Sequence, residues 1–348
     1  MAMDIKDLVG PDRSCLLIAE AGVNHNGDMG LAHDLIDAAL EAGANAVKFQ
    51  AFVTEEIVTA RATKAAYQKD TTGSGDQFEM LKALELSAEQ QAELKSHCER
   101  IGLFYLCTPY DFKSVDMLGR LGVHAFKVAS TDTNNIPLLR QVAKTGLPAI
   151  LSTGMATLSE VEDAIGALQD ARPGLWLALL QCTTEYPAPV GESNLRVMET
   201  FRQAFGLPVG LSDHTTGIGV APLAVALGAN IVEKHFTLDR SMAGPDHAAS
   251  LDPSGFKDLV AAVRDAEAAL GDGRKEVTPS ESKNKVHMRK SVVANQDIAA
   301  GTAIKPEHLA CKRPGDGLEP AWFDKIVGRV ALRDIEKDQQ ISLADVQW

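Results

Sequence analysis

Eight short apolar runs punctuate this chain, and between them apolar residues recur every three or four positions. The runs are CLLIAEAG (15–22), AVKFQAF (46–52), LFYLCTP (103–109), AFKVAS (125–130), AILSTGM (149–155), LWLALLQCT (175–183), PVGLSD (208–213) and IVEKHFT (231–237). Runs this short and this apolar predict buried strands, whereas stretches such as LAHDLIDAALEAG and LSEVEDAIGALQDA predict amphipathic helices. Gly43, Gly102, Gly122, Gly146 and Gly228 stand at the ends of helical stretches, where a left-handed cap calls for glycine. Eight strand–helix units predict an α/β fold, a (β/α)8 TIM barrel. An open doubly wound sheet is the alternative; the unit count and the lack of a G-x-G-x-x-G turn after the first run weigh against it. Residues 53–90 exceed a simple strand-to-helix loop and are expected to carry extra helix over the barrel mouth.

The pattern changes after Gly271. GDGRKEVTPSESKNKVHMRK is polar and charged, and reads as a linker. Beyond it, ANQDIAAGTAIKPEHL (294–309) is echoed by ALRDIEKDQQISLADV (331–346), with Ala, Asp-Ile, a later Ile and a final Leu or Val at matched offsets. Two copies of one small unit predict a compact pseudo-symmetric β-rich domain. The expected division is therefore a barrel over 1–272, a linker over 273–290 and a C-terminal domain over 291–348. So small a domain is marginal alone and is expected to pack against something.

Composition narrows the partners. With 34 Lys and Arg against 47 Asp and Glu, the net charge is −13, which argues against a general nucleic-acid or anionic-membrane surface. A few lysines within one cleft still suffice for an anionic small molecule. The five cysteines are scattered without a C-x-x-C pair, as in a reduced, cytoplasmic protein. No segment reaches the roughly 20 apolar residues of a membrane span, and the first residues lack the pattern of a signal peptide.

Polar residues collect at the C-terminal ends of the predicted strands, the rim where barrel active sites lie. Glu20, Lys48, Gln50, Thr108, Lys127, Ser130, Asp132, Ser152, Thr184, Tyr186 and Ser212 all stand there. His214 and His235 end the seventh and eighth runs, neighbours in a barrel, so their imidazoles can reach a common point. Two nitrogens with no nearby thiolate suit Mn²⁺, Fe²⁺, Co²⁺ or Zn²⁺ with open positions, a Lewis-acid arrangement. Lys48 and Lys127 close apolar strands, where a charge is costly unless it meets an anion. They either pair with Glu20 or Asp132 or, with the rim hydroxyls, hold phosphate and carboxylate. A Schiff-base lysine is a third reading. Glu20 and Asp132 are the carboxylates best placed for proton transfer or for gripping sugar hydroxyls. Glu185 and Glu233 alternate with these candidates and are expected to point outward or into the helix layer. AGPDH (243–247) reads as a turn, with a capping Asp246 and an exposed His247.

Taken in order, AEAGVNHNG, AVKFQ, CTPYD, FKVAS, ILSTGMA, CTTEYP, GLSDHT, EKHFTLDRSMAGPDHAASLDP, RKSVVA and KRPGDG resemble the bacterial N-acylneuraminate (sialic acid) synthase family, its neuraminic and legionaminic branches. The resemblance implies a TIM barrel followed by a small β-clip (antifreeze-like, SAF) domain. It implies a transferase that condenses phosphoenolpyruvate with the open-chain aldehyde of an N-acylated amino sugar, releasing phosphate. The first expectation for the acceptor is N-acetylmannosamine, making the enzyme an N-acetylneuraminate synthase. The alternative is legionaminic acid synthesis from 2,4-diacetamido-2,4,6-trideoxymannose, and a metal-dependent hydrolase barrel is a distant third. Carried over by motif, His214 and His235 would bind the metal, Mn²⁺ first, with Mg²⁺ or Co²⁺ as substitutes. Lys48, Thr108, Lys127, Ser130, Ser152, Thr184 and Ser212 match phosphoenolpyruvate-binding positions. Glu20, Gln50, Asp132, Tyr186 and Asp246 match positions around the sugar and the reacting centre. Arg313, in KRPGDG, matches an arginine that reaches the acyl group from the partner of a domain-swapped homodimer. Two positions depart from the usual pattern: Asp132 stands where neuraminic acid synthases usually carry Glu, and Thr184 replaces an Asn found in some members.

Overall fold

The computed structural model describes residues 4–10, 12–59, 62–64 and 76–348. Eight parallel strands close in sequence order: β1 (Leu16–Gly22), β2 (Ala46–Ala51), β3 (Phe104–Pro109), β4 (Phe126–Val128), β5 (Ala149–Ser152), β6 (Leu177–Cys182), β7 (Val209–Asp213) and β8 (Ile231–His235), with β8 pairing back onto β1. The predicted barrel is therefore the fold.

Alternation along each strand sends side chains to two cores. Leu17, Ala19, Val47, Phe49, Tyr105, Val128 and Leu179 join the apolar faces of the surrounding helices in one cluster. Leu16, Ile18, Ala46, Phe104, Leu106, Ala125, Ile150, Ala178, Leu180 and Ile231 form a second cluster, to which Ile5 and Val9 from the N-terminal segment belong. Gly210 is the inward position of β7 at this level. A Cβ there would stand 2.3 Å from the Ile231 carbonyl oxygen and 2.8 Å from Leu180.

The helices end and begin as their sequences dictate. Ser87 and Thr157 form capping boxes with Gln90 and Glu160 for the helices Ala88–Ile101 and Leu158–Ala171. Gly102 and Gly122 cap their helices at φ 79° and 72°, the left-handed region expected of them. In the long segment between β2 and β3, short helices occupy Thr54–Ile57 and Gln77–Lys82. Residues 60–61 and 65–75 of that segment lie outside the described residues. No helix among the described residues is long and apolar enough to cross a membrane.

The chain divides into compact units Met1–Gly271 and Asp272–Trp348. In the second, strands β9 (Ser291–Ala294) and β10 (Leu309–Lys312) pair antiparallel. The sequence repeat has a structural counterpart. Ala294 pairs with Leu309, and Ala331 and Val346, which stand at the same offsets in the second copy, pair in the same way. Ile298 and its equivalent Ile335 exchange backbone hydrogen bonds with each other, at 2.8 and 2.9 Å, as residues on a local twofold must. The segment expected to be a linker instead contains a helix, Pro279–Met288. Thr278 and Glu281 close a capping box at its start, which outweighs the polar composition.

Candidate active site

One turn of alternation above the apolar interior layer, the same inward positions turn polar. Ile18 gives way to Glu20, Ala46 to Lys48, Ala125 to Lys127, Ile150 to Ser152, Gly210 to Ser212 and Ile231 to Glu233. These groups line a cavity of about 540 Å³ at the C-terminal ends of the strands.

Its floor is a buried charge network. Lys48 Nζ lies 2.8 Å from Glu20 and 3.8 Å from Glu233, and Lys127 Nζ lies 3.4 Å from Glu233. The Ser212 hydroxyl donates to Glu233 at 3.0 Å. Burial works against a charge on Glu233, but Lys127, Lys48 and Ser212 hold its carboxyl down at about 2. Burial carries Glu20 the other way, up to about 7, against the pull of Lys48. Two carboxyl groups in one network are thus pushed apart, one held ionised and the other brought near neutrality, the arrangement that marks acid–base sites. Gln50 donates to Glu20 at 3.1 Å.

The histidines meet as their strands require. Their ring centroids are 5.3 Å apart, and the Tyr186 ring stands 4.2 Å from His214 and 5.5 Å from His235. His214 Nδ1 donates to the Thr183 carbonyl at 2.8 Å, which leaves Nε2 with its lone pair free for a ligand. His235 Nδ1 is buried with no hydrogen-bond partner, 3.9 Å from Asp246. A divalent cation fits this pair as two nitrogen donors, with the remaining positions left to water or substrate. Among the described residues, no three His, Cys, Asp or Glu side chains gather closely enough to hold a metal by themselves. Burial raises Asp246 to about 6.

Further round the wall, Asp132 closes a short 3-10 turn after β4. It accepts from Asn135 at 2.9 Å, and burial raises its carboxyl. Ser130 Oγ accepts from the Gly154 amide at 2.9 Å. Ser152 Oγ and Thr184 Oγ1 are buried without partners. Buried polar atoms in a folded protein are nearly always hydrogen-bonded, so an orphaned pair facing a cavity marks where a ligand supplies the bond.

Thirteen of the fifteen residues singled out in the sequence line this one cavity. Thr108 does not. It is fully buried behind the wall, accepting from Lys48 at 3.1 Å. Arg313 belongs to the second unit, where its Nε donates to the Met288 carbonyl at 3.2 Å. Two expectations are corrected. Glu233 points inward, because it stands two residues before His235 and so shares its face. His247 is fully buried, held 2.7 Å from the Thr237 hydroxyl and 3.3 Å from Asn26. Cys182, with its sulfur 3.8 Å from His214 Nδ1, is a cavity residue the sequence reading passed over. Asp213, beside the site, accepts from the Thr215 amide and hydroxyl and pairs with Lys234 at 2.9 Å on the outer face, which fixes the loop carrying His214.

The NeuB family profile matches residues 35–275, and the SAF domain profile matches residues 289–347. The chain belongs to the NeuB family. It is 44% identical to the N,N'-diacetyllegionaminic acid synthase of Campylobacter jejuni, over 94% of this chain and 99% of that one. It is 36% identical to the human N-acetylneuraminate-9-phosphate synthase, over 96% and 93%. Among solved structures, the N-acetylneuraminic acid synthetase of Leptospira borgpetersenii, crystallised with citrate, superposes with a TM-score of 0.70 at 35% identity, covering 79% of this chain and 92% of that one. This NeuB-family chain is thus an enzyme of the sialic and legionaminic acid synthase type, a transferase.

Proposed function

We propose that this enzyme condenses phosphoenolpyruvate with 2,4-diacetamido-2,4,6-trideoxymannose, forming a legionaminic acid and releasing phosphate. N-acetylmannosamine was the first expectation from sequence; the higher identity to a diacetyllegionaminic acid synthase than to a neuraminate-phosphate synthase favours the alternative. The observation that carries the chemistry is the convergence of two lysines, two histidines and unpartnered hydroxyls on one cavity floor.

In this reading Lys48 and Lys127 neutralise the phosphate and carboxylate of phosphoenolpyruvate, and the hydroxyls of Ser130, Ser152 and Thr184 donate to its oxygens, with Ser212 joining them by exchanging its bond to Glu233. Thr108 steadies Lys48 from behind. His214 and His235 would hold a divalent cation, Mn²⁺ by family likeness, which when bound would supply Lewis-acid polarisation of the aldehyde carbonyl. The phosphoenolpyruvate methylene carbon bonds to the aldehyde carbon, water adds its oxygen to C2, and the C2–phosphate bond breaks. The protons of that water end on the new hydroxyl and the departing phosphate. Glu20, with a carboxyl near 7, is suited to carry one of them at neutral pH. Asp132 and Asp246 grip sugar hydroxyls, and Gln50 and Tyr186 orient the chain of the sugar. Arg313 is proposed to reach the acyl group from the partner of a domain-swapped homodimer in the cytoplasm.

The test is phosphate release from phosphoenolpyruvate by metal-stripped protein, with and without Mn²⁺, each sugar offered separately. Release that needs both Mn²⁺ and the diacetamido sugar supports the reading. Faster release with N-acetylmannosamine returns the enzyme to the neuraminate branch.

A further inference from the structure

The cavity has a second half with different chemistry. The strand ends supply its polar floor, but its flank is apolar: Phe52 after β2, Ile57 from the short helix that follows, Met80 and Leu81 from the helix Gln77–Lys82, and Leu84 just beyond it. With Val23 they form an apolar cluster of their own, separate from both barrel cores. Phe52, Leu84 and Val23 are buried, whereas Ile57, Met80 and Leu81 remain partly open. Two polar residues share this flank: Glu56, held by Lys113 at 2.6 Å, and Gln77 at the start of the helix that carries Met80 and Leu81.

We propose that this flank selects the acceptor, seating the methyl-bearing groups at the end of the sugar remote from the aldehyde. The inference rests on the synthase reading above. The polar floor is taken up by phosphoenolpyruvate and the reacting aldehyde, so the far end of a six-carbon sugar must lie along the remaining wall. A hydroxyl placed against Ile57, Met80 and Leu81 gives up water for no partner, whereas a methyl group gains burial. Such a pocket discriminates by about 10- to 200-fold for one apolar group. A sugar with a 6-methyl and a 4-acetamido group fits it, and one with free hydroxyls at those positions does not.

The experiment compares kcat/KM for 2,4-diacetamido-2,4,6-trideoxymannose and for N-acetylmannosamine in the wild-type, Met80→Ser, Leu81→Asn and Met80→Leu enzymes. The expected wild-type preference for the diacetamido sugar is about 10²-fold. Met80→Ser and Leu81→Asn are expected to cut that ratio about tenfold, with the KM for phosphoenolpyruvate unchanged and the Tm confirming a folded protein. Met80→Leu keeps the ratio. An unmoved ratio in both polar variants, or equal losses on the two sugars, overturns the assignment while leaving the synthase reading intact. Turnover of neither sugar by the metal-loaded wild-type enzyme overturns both.

Discussion

The two ends of the barrel interior are built from the same strands in the same alternation, yet they obey opposite rules. At the lower level, Leu16, Ile18, Phe104, Leu106, Ile150 and Leu180 fill space and need nothing but neighbours. Two residues further along, Glu20, Lys48, Lys127 and Glu233 are equally buried and must satisfy one another. A buried ion network is seldom a gain over apolar packing. The apolar end therefore accounts for stability, and the charged end is better explained by what it binds. The comparison can be broken from either side.

The largest effect is expected at the charged end. Lys127→Met removes one of the two cations that face Glu233 and, in the proposed reading, half of the anion site. Steady-state kinetics on the folded protein should register a fall in kcat/KM for phosphoenolpyruvate on the order of 10³-fold, about 4 kcal/mol, alongside a lower Tm from the Glu233 charge left with one cation fewer. A loss under tenfold would mean that Lys127 is only a counter-ion. The mirror experiment is Leu180→Ala, at the apolar end. Deleting a fully buried leucine should lower the unfolding free energy by about 3 kcal/mol in a urea titration and leave kcat of the folded enzyme near wild type. If the two variants exchanged phenotypes, the division of labour along the strands would be wrong.

A smaller effect tests the seam where the wall of the site folds over itself. Gly154, just past β5, offers its amide to Ser130, and a Cβ there would stand 2.1 Å from Thr184 Oγ1 and 2.8 Å from Ser130 Oγ. Gly154→Ala must push both hydroxyls aside. The expected cost is a rise in the KM for phosphoenolpyruvate of up to about 10²-fold, since displacements near 1 Å in a positioning shell cost that much. Unchanged kinetics would remove Ser130 and Thr184 from the anion site.

The barrel was legible because its signal is repeated eight times, and strand alternation converts position directly into direction. The C-terminal unit was legible for a related reason: Ala294, Ile298 and Leu309 recur as Ala331, Ile335 and Val346, and each copy makes the pairing of the other. Glu233 was misjudged although its signal was present, since a spacing of two from His235 puts both on one face. The helix Pro279–Met288 was missed in a similar way, its T-P-S-E capping box hidden in a polar stretch. The burial of His247 and the apolar flank lay beyond sequence reasoning. His247 is buried through Thr237 and Asn26, the latter 221 residues away. The flank joins side chains from three elements that share no period.

The smallest prediction sharpens the comparison at the upper end, where a polar group can be buried without being charged. His25, in the loop after β1, is 1% exposed, and its Nδ1 accepts from the Gly27 amide at 2.9 Å. Burial lowers its pKa from 6.5 to about 4. The native state therefore holds His25 neutral over a range in which the unfolded chain takes up a proton. Stability should be full above about pH 6.5, fall as the pH drops from there toward 4, and level off below. At pH 5 the unfolded side chain is largely protonated and the native one is not, a difference of about 1.5 pKa units or about 2 kcal/mol. His235 and His247, lowered by burial, add slopes of the same sign, and His214, raised against its burial by Cys182 and the Thr183 carbonyl, adds one of the opposite sign, so the contribution of His25 is read as a difference. His25→Asn retains an acceptor for the Gly27 amide but cannot titrate. Its loss of unfolding free energy between pH 7 and pH 5 should be about 2 kcal/mol smaller than that of the wild type. Parallel curves for the two proteins would mean that His25 is protonated in the native state and that the upper end of the barrel tolerates an unpaired charge.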